Sequence, residues 1–284
     1  MSNHGHCDLS HDLHFSILGV PFALENATGR FRELTQQNYS AYLTETSANP
    51  AFFSLGQQSD GRLELKSLRS GVIWAGGVNA AEDDYHFLYA QEKELTLELQ
   101  RARSELYFVH AAVVERKGHC LLIAAESGTG KSTLAFALQC RGWHYLSDEL
   151  APIDVAQLSV HPYKHALCLK SVPPKPFASL PPHASTDRTL HVPADQLNAV
   201  TDEVPRPLSG LVFLKRNPGN RTPGIKKISA AEAATRLYGN TLNALAHSAA
   251  GLDAATAITR RTPAWHLEAG ELRATCELLE KALV

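Results

Sequence analysis

The sequence lacks a strong excess of either charge, because 27 Lys and Arg residues nearly balance 29 Asp and Glu residues. This balance argues against a protein that binds duplex nucleic acid, whose binding face is normally basic. An apolar run long enough to cross a membrane is also absent. Since 44% of the 284 residues are hydrophobic and only 20% are charged, we expect a soluble, globular chain with a sizeable core.

Cysteine is scarce, and its spacing matches no Cys-x-x-Cys pair. We interpret the thiols as reduced groups of a cytoplasmic protein. Residues 1–15 lack the basic start and the apolar run of a signal peptide, which agrees with that location. The five cysteines are Cys7, Cys120, Cys140, Cys168 and Cys276.

Polar residues dominate the start of the chain, and residues 1–14 are predicted to be a flexible tail. The tail carries several imidazole and thiol groups, which are good metal ligands, although their spacing fits no zinc pattern. Both a metal site and a loose chain end therefore remain open. The residues concerned are His4, His6, Cys7, His11 and His14.

Residues 15–100 predict a small, strand-rich N-terminal region followed by a helix. Short apolar runs alternate with turn residues, and Asp60-Gly61 between two such runs favours a β-hairpin. Residues 88–106 place leucines at steps of three and four with charged residues between them, as in an amphipathic helix.

Residues 101–284 are predicted to form the main core. Its first apolar runs, Leu106–Val114 and Cys120–Ala124, are too close for a helical crossover and predict an antiparallel hairpin. A Gly-rich turn, a helix over residues 132–140 and a strand over residues 145–153 follow. The hairpin favours an α/β fold with a mixed sheet over a parallel Rossmann-like sheet.

The second half of this core has a different pattern. Residues 173–207 are rich in proline and predict a loop, whereas residues 208–216 predict a buried strand. A capping box, in which Ser229 meets a backbone amide and Glu232 reaches back, predicts a helix toward Ala246. A strand around Trp265–Leu267 and a last helix through Leu283 complete the chain.

Residues 125–133, AESGTGKST, match the phosphate-loop (P-loop) pattern, except that Ala125 replaces the first glycine. Gly128 and Gly130 permit the tight bend that lets successive amides converge on phosphate oxygens. Lys131 would neutralise the β- and γ-phosphates, and the Ser132 hydroxyl would bind Mg²⁺. The alternative is an ordinary Gly-rich turn between a strand and a helix. The predicted nucleotide-binding residues are Ser127, Gly128, Thr129, Gly130, Lys131, Ser132 and Thr133.

An acid pair, Asp148-Glu149, ends the strand that follows this loop and its helix. Such an acid is able to hold Mg²⁺ or to accept the proton of an incoming hydroxyl, but it is also common as a solvated strand end. His110 lies within an apolar run one strand before the loop. The hairpin brings it toward the loop, although a lone histidine in such a run is often a core residue.

These motifs together resemble the HPr kinase/phosphorylase superfamily. The order is a strand with His110, a hairpin, the ESGTGKST loop, a helix, an Arg-Gly-Trp step and Leu-Ser-Asp-Glu. The sequence is most similar to the bacterial HPr kinase-related branch, which includes the kinases of lasso-peptide gene clusters. The similarity is specific over about residues 104–155, weaker over residues 165–284 and faint before residue 100.

The resemblance implies a P-loop-containing, HPr kinase-like core behind the strand-rich region. It implies that His110, Lys131, Ser132 and Asp148 are active-site residues and that Asp148 is the catalytic base. Glu149 stands where the family has a second Asp, with an implied metal role. The Pro-rich segment is implied to hold the acceptor. Four cations are candidates for stabilising transition-state charge: Lys170, Arg188, Lys215 and Arg216.

The sequence therefore predicts an ATP- and Mg²⁺-dependent kinase that phosphorylates a serine-type hydroxyl of a peptide or small protein. Nothing in it matches the HPr-docking signature of true HPr kinases, which argues against HPr as the acceptor. Two alternatives stay open: a small-molecule kinase, and a nucleotide sensor with vestigial transfer. Glu126 favours the sensor, because an acid beside the phosphates weakens ATP binding. Nucleic acid and membrane are not expected as partners, and assembly into a homo-oligomer is left open.

Overall fold

The computed structural model describes residues 12–45, 52–77, 81–216, 219 and 221–283. Over these residues the chain has a mixed α/β fold with several β-sheets. None of the helices in the described ranges is both long enough and apolar enough to span a lipid bilayer. Most of the predicted histidine cluster, namely His4, His6, Cys7 and His11, lies outside the described residues.

The N-terminal region is a six-stranded sheet with two helices, as its alternating runs and turns predict. Its strand order is β3-β1-β2-β4-β5-β6. The Asp60-Gly61 turn joins the antiparallel strands β4 and β5, which confirms the predicted hairpin. The elements are β1 (Leu13–Ile17), β2 (Val20–Glu25), α1 (Gly29–Asn38), β3 (Leu43–Thr44), β4 (Phe53–Gln57), β5 (Leu63–Ser67), β6 (Gly71–Gly76) and α2 (Ala81–Ala102).

Three boundaries differ from the predictions for this region, and one of them is the start of helix α2 at Ala81 instead of residue 88. Strand β1 begins at Leu13, so the predicted tail of residues 1–14 extends too far: His14 pairs with Ala23 and Thr44 in the sheet. Helix α2 ends at Ala102 instead of Leu106, because the chain turns there and Leu106 packs in the core as it approaches the next strand.

The described residues from 107 onward form a large mixed sheet, a small three-stranded sheet and four α-helices. The large sheet has the order β10-β8-β9-β16-β12-β11-β7, with β18 and β17 beside β16, and the small sheet has the order β13-β15-β14. The elements are β7 (Tyr107–Val109), β8 (Ala111–Arg116), β9 (His119–Ala124), α3 (Lys131–Gln139), β10 (His144–Ser147), β11 (Ala151–Asp154), β12 (Ser159–Val160), β13 (Leu167–Leu169), β14 (Ala184–Ser185), β15 (Leu190–Val192), β16 (Arg206–Arg216), β17 (Gly224–Lys227), α4 (Ala230–Tyr238), α5 (Leu252–Arg261), β18 (Ala264–Ala269) and α6 (Leu272–Leu283).

Strand pairing confirms the predicted hairpin and the mixed sheet. Strand β9 is antiparallel to β8, whereas β16 is parallel to both β9 and β18. Strand β10 is antiparallel to β8 and therefore runs in the same direction as β9. The carboxyl ends of β9, β10, β16 and β18 consequently meet at one edge of the sheet.

Two predicted single strands are each broken into two. The run Leu106–Val114 divides at His110, and the run of residues 145–153 divides at residues 148–150. The cause is a change of partner: β8 pairs with β10, whereas β7 pairs with β11. His110 therefore lies at a break between strands, and not in the middle of one as the sequence predicts.

The C-terminal predictions are correct in kind and wrong in extent. The predicted helix toward Ala246 ends at Tyr238, because the next residues bond to strand β7: the Leu242 amide donates to the Phe108 carbonyl at 2.9 Å. Ser229 caps α4 as predicted, but the Glu232 carboxylate bonds Arg236 instead of reaching back. Helix α5 was not predicted. The Pro-rich segment is mainly irregular, with short strands β14 and β15.

Candidate functional site

The Gly-rich loop joins β9 to α3 and leaves its backbone open to solvent. Gly128 and Gly130 have φ angles of +83° and +106°, values that L side chains rarely adopt. The Thr129 amide closes the turn by donating to the Glu126 carbonyl at 3.1 Å. Residues 126–128 are exposed. The predicted nucleotide-binding residues therefore lie together on an accessible curl and on the first turn of a helix.

Lys131 is the first residue of α3, and its side chain extends inward, away from solvent. Only 6% of the residue is exposed. Its ammonium group donates to the backbone carbonyl of Asp148 and lies 3.4 Å from Asp148 Oδ1 and 3.5 Å from Glu149 Oε1. Burial alone would lower the pKa of Lys131, but the two carboxylates outweigh it and raise this pKa. Lys131 therefore stays charged.

Asp148 follows β10 and is fully buried. Its Oδ2 accepts a hydrogen bond from the Cys168 amide at 3.2 Å, and its carboxylate also hydrogen-bonds Ser132. Burial raises the pKa of Asp148, against the opposing effect of the Lys131 charge. Asp148, Lys131 and Ser132 thus come together, as the sequence predicts, at the edge where β9 and β10 end.

Glu149 and His110 form a second, more accessible part of the site. His110 Nε2 and Glu149 Oε2 lie 2.7 Å apart, at hydrogen-bond distance. The two residues meet because both strand breaks fall at the same place in the sheet. Although burial acts to raise it, the pKa of Glu149 falls to about 2, because the His110 hydrogen bond and the Lys131 charge favour the carboxylate.

The four candidate cations lie in different places. Lys170 lies against the Gly-rich loop, where its ammonium donates to Ser127 Oγ at 3.2 Å. Lys215 and Arg216 end strand β16, at the same sheet edge as the loop. Arg188 instead stacks over the ring of Tyr85 on α2, with 5.0 Å to the centroid. Among the four, Lys170 is thus the cation that contacts the loop.

The oxygen ligands at this site suit Mg²⁺ better than a transition metal. Ser132 and Asp148 already share a hydrogen bond, and Glu149 Oε1 lies 3.5 Å from the Lys131 ammonium. Within the described ranges, no three His, Cys, Asp or Glu side chains are arranged to hold a metal ion. Magnesium sites do not need such a cage, because this ion is usually bound by one or two carboxylates, water and substrate phosphates. The residues present therefore fit it.

The sequence did not reveal two residues that support the acid pair. The Cys168 amide bonds Asp148, and the fully buried His165 Nε2 lies 2.8 Å from Glu92 Oε1 of α2. A weak signal existed, since residues 161–165 (HPYKH) place three basic groups beside an apolar strand. The hydrogen bond of the Cys168 backbone amide, however, cannot be recognised from the sequence, because every residue except proline has such an amide.

Comparisons with known proteins give little. No family model matches the chain, and no curated protein matches it either. The solved structure of the Hpr(Ser) kinase/phosphatase from Coxiella burnetii is similar at a TM-score of 0.30 and 16% sequence identity, over 61% of this chain and 86% of that chain. A similarity as weak as this supports no conclusion about the present chain.

Proposed function

We propose that this protein is an ATP-dependent kinase that transfers the γ-phosphoryl group to a serine-type hydroxyl of a peptide or small protein. One observation carries the proposal: an exposed Gly-rich curl lies next to the buried Lys131 and Asp148 and the partly buried Ser132. An anion-binding turn, a cation and a carboxylate at one sheet edge are the parts that phosphoryl transfer needs.

In this proposal the nucleotide phosphates bind in the curl. Amides of residues 127–132 and the amino end of α3 provide hydrogen-bond donors and a partial positive charge. Lys131 is held by two carboxylates in the structure and would exchange them for the β- and γ-phosphates. Lys170, already at Ser127, would add a second cation as charge develops on the transferred group.

Ser132, Asp148 and Glu149 would hold Mg²⁺. The ion would supply positive charge that offsets the negative charge of the nucleotide phosphates. Both carboxylates face the Lys131 ammonium, so two negative charges already converge on one cation.

Asp148 is the proposed base. The acceptor hydroxyl oxygen attacks the γ-phosphorus, its proton passes to Asp148, and the bond to the β-phosphate oxygen breaks to release ADP. Asp148 Oδ1 is covered by the Lys131 ammonium at 3.4 Å, which is the group that the phosphates would draw away. His110 would hold Glu149 in place beside it.

A second candidate function is a nucleotide sensor with little or no transfer. The burial of Asp148 favours it, because an acceptor hydroxyl has no contact with that carboxylate unless Lys131 moves. The exposed Glu126 on the curl also opposes phosphate binding by its charge.

Labelled ATP separates the two functions. The protein is incubated with γ-³²P-ATP, Mg²⁺ and panels of serine-containing peptides and small hydroxyl metabolites, and intact mass locates the label. Phosphate on a peptide serine supports the proposal, and phosphate on a metabolite shows a small-molecule kinase. Nucleotide binding with slow ATP loss and no labelled acceptor would establish the sensor.

A further inference from the structure

Residues 161–170, named here the tether segment, pass between the N-terminal region and the candidate site. The Lys164 amide donates to the Tyr42 hydroxyl at 2.5 Å. The Ala166 amide donates to the Asn38 carbonyl at 2.8 Å. The first half of the tether segment belongs to no strand, so its path depends on such bonds. Besides those to the N-terminal region, the His161 and Tyr163 amides donate to the Pro152 and Leu146 carbonyls of strands β11 and β10.

An ion pair adds to these backbone bonds. His165 is fully buried, and its Nε2 lies 2.8 Å from Glu92 Oε1 on α2. Its ring stacks on that of Tyr163 with centroids 5.2 Å apart. Burial by itself would lower the pKa of His165, but Glu92 and the charges of Asp148 and Glu149 together outweigh it and raise this pKa. A buried pair of this kind is better suited to fixing the position of the tether segment relative to α2 than to stabilising the fold.

The C-terminal end of the tether segment contacts both the acid pair and the Gly-rich loop of the candidate site. The Cys168 amide donates to Asp148 Oδ2, and Lys170 Nζ donates to Ser127 Oγ, each at 3.2 Å. Cys168 is only three residues from the ion pair. A displacement at His165 therefore reaches the carboxylate through a single short stretch of backbone.

From this arrangement we propose that Glu92 and His165 are a positioning pair through which the N-terminal region sets the place of Asp148 and Lys170. The effect on transfer rests on the proposed function, whereas the effect on the Cys168 amide does not. Because a misplacement of about 1 Å costs on the order of a hundredfold in rate, loss of the pair lowers kcat and leaves nucleotide affinity unchanged.

The test uses the full chain with Glu92→Gln, which keeps the shape of the side chain and removes its charge. Glu94→Gln is the matched control, since Glu94 is also buried on α2 but bonds Ser67 and Ser70 of the N-terminal region. Amide hydrogen exchange at Cys168, kcat for transfer, nucleotide Kd and Tm are measured for both variants and the wild type.

In Glu92→Gln we expect about tenfold faster exchange at Cys168. We also expect kcat to fall at least about tenfold and the nucleotide Kd to stay within about twofold. Glu94→Gln lowers Tm without either effect. Unchanged Cys168 exchange in Glu92→Gln overturns the proposal. Equally faster Cys168 exchange in both variants at the same Tm also overturns it, because Glu92 then contributes only to general stability.

Two further outcomes are informative. If the wild type transfers no phosphate while Cys168 exchange responds only to Glu92→Gln, the positioning role stands and the proposed function fails. If Glu92→Gln does not fold, Tyr42→Phe is measured instead, because it removes the oxygen that accepts the Lys164 amide. Faster Cys168 exchange in that variant supports the proposal, and unchanged exchange overturns it.

Discussion

The Gly-rich loop and the acid pair are the two halves of the candidate site, and they are built in opposite ways. The loop is one contiguous, exposed stretch whose bend depends on its own glycines. Asp148 is fully buried, and its surroundings come from Lys131 on α3 and Cys168 on β13. Nucleotide binding should therefore depend on local backbone, and transfer on tertiary packing, so mutations ought to separate the two.

Lys131→Met removes the residue that both halves share, and it should have the largest effect. Nucleotide Kd should rise at least about a hundredfold, because the phosphates lose their main cation. The free energy of unfolding should also fall by about 3 kcal/mol, since Asp148 is left as an unpaired buried acid. Isothermal titration calorimetry and urea denaturation measure the two effects.

Lys215→Met is the control for that prediction, because Lys215 ends β16 at the same sheet edge but is exposed. It should change stability by less than about 0.5 kcal/mol. Tight nucleotide binding by Lys131→Met would show that Lys131 does not neutralise the nucleotide phosphates.

Asp148→Asn should affect the second half of the site alone. Phosphate transfer should fall by about 10²- to 10⁴-fold, the usual contribution of a general base, while nucleotide Kd changes by about threefold or less. Single-turnover transfer and a fluorescent nucleotide titration give both values. Asp154→Asn is the control, since that carboxylate bonds only a nearby turn amide among its described contacts. Normal transfer by Asp148→Asn would remove Asp148 from the role of base.

The same contrast explains how much the sequence predicts. Nine consecutive residues predict the curl of residues 125–133, because glycine, lysine and serine positions define it locally. The β8–β9 hairpin also follows from the short gap between two apolar runs. Strand pairing confirms the hairpin, and Gly128 and Gly130 have the positive φ angles that a tight bend needs. Nucleotide binding by the curl stays a prediction.

The break at His110 could not be predicted, because both flanking segments are equally apolar. The chain divides there since β7 and β8 take different partners, and partner choice is a property of the whole sheet. The Cys168 amide bond to Asp148 is hidden for a similar reason, since it joins backbone to side chain across 20 residues. Sequence predicted which side chains meet, and tertiary structure determined how deeply they are buried.

Glu149, in the acid pair, should make the free energy of unfolding depend on pH. Its pKa is held near 2, below the usual 4.5, so the unfolded chain takes up the proton first as the solution becomes acidic. The stabilisation is complete above about pH 5.5 and is lost as the pH falls from about 4.5 toward 2. With a side chain 35% exposed, we discount the contribution for screening to about 1 kcal/mol.

Urea denaturation of the wild type and Glu149→Gln at pH 6 and pH 3 measures this contribution. The difference in unfolding free energy should shrink by about 0.6 kcal/mol at the lower pH, because roughly three fifths of the contribution is lost by pH 3. A His110→Asn background should reduce that change, because the His110 hydrogen bond is the largest influence lowering the pKa of Glu149. A difference that grows toward acid would show that the assigned direction is wrong.

Gly128→Ala should have the smallest effect, and it acts on the loop half. A Cβ built there meets only Lys170 Nζ, at 4.0 Å, so the cost is the left-handed backbone and not a clash. That cost is about 1 kcal/mol, which the turn can relieve only by moving its amides, so nucleotide Kd should rise about fivefold. Gly224→Ala is the matched control, because Gly224 has open space and no positive φ. A different result would be slower single-turnover transfer by Gly128→Ala at saturating nucleotide with an unchanged Kd. The curl would then position the reacting group and not the nucleotide. Nucleotide binding and transfer would no longer be assigned separately to the loop and to the acid pair.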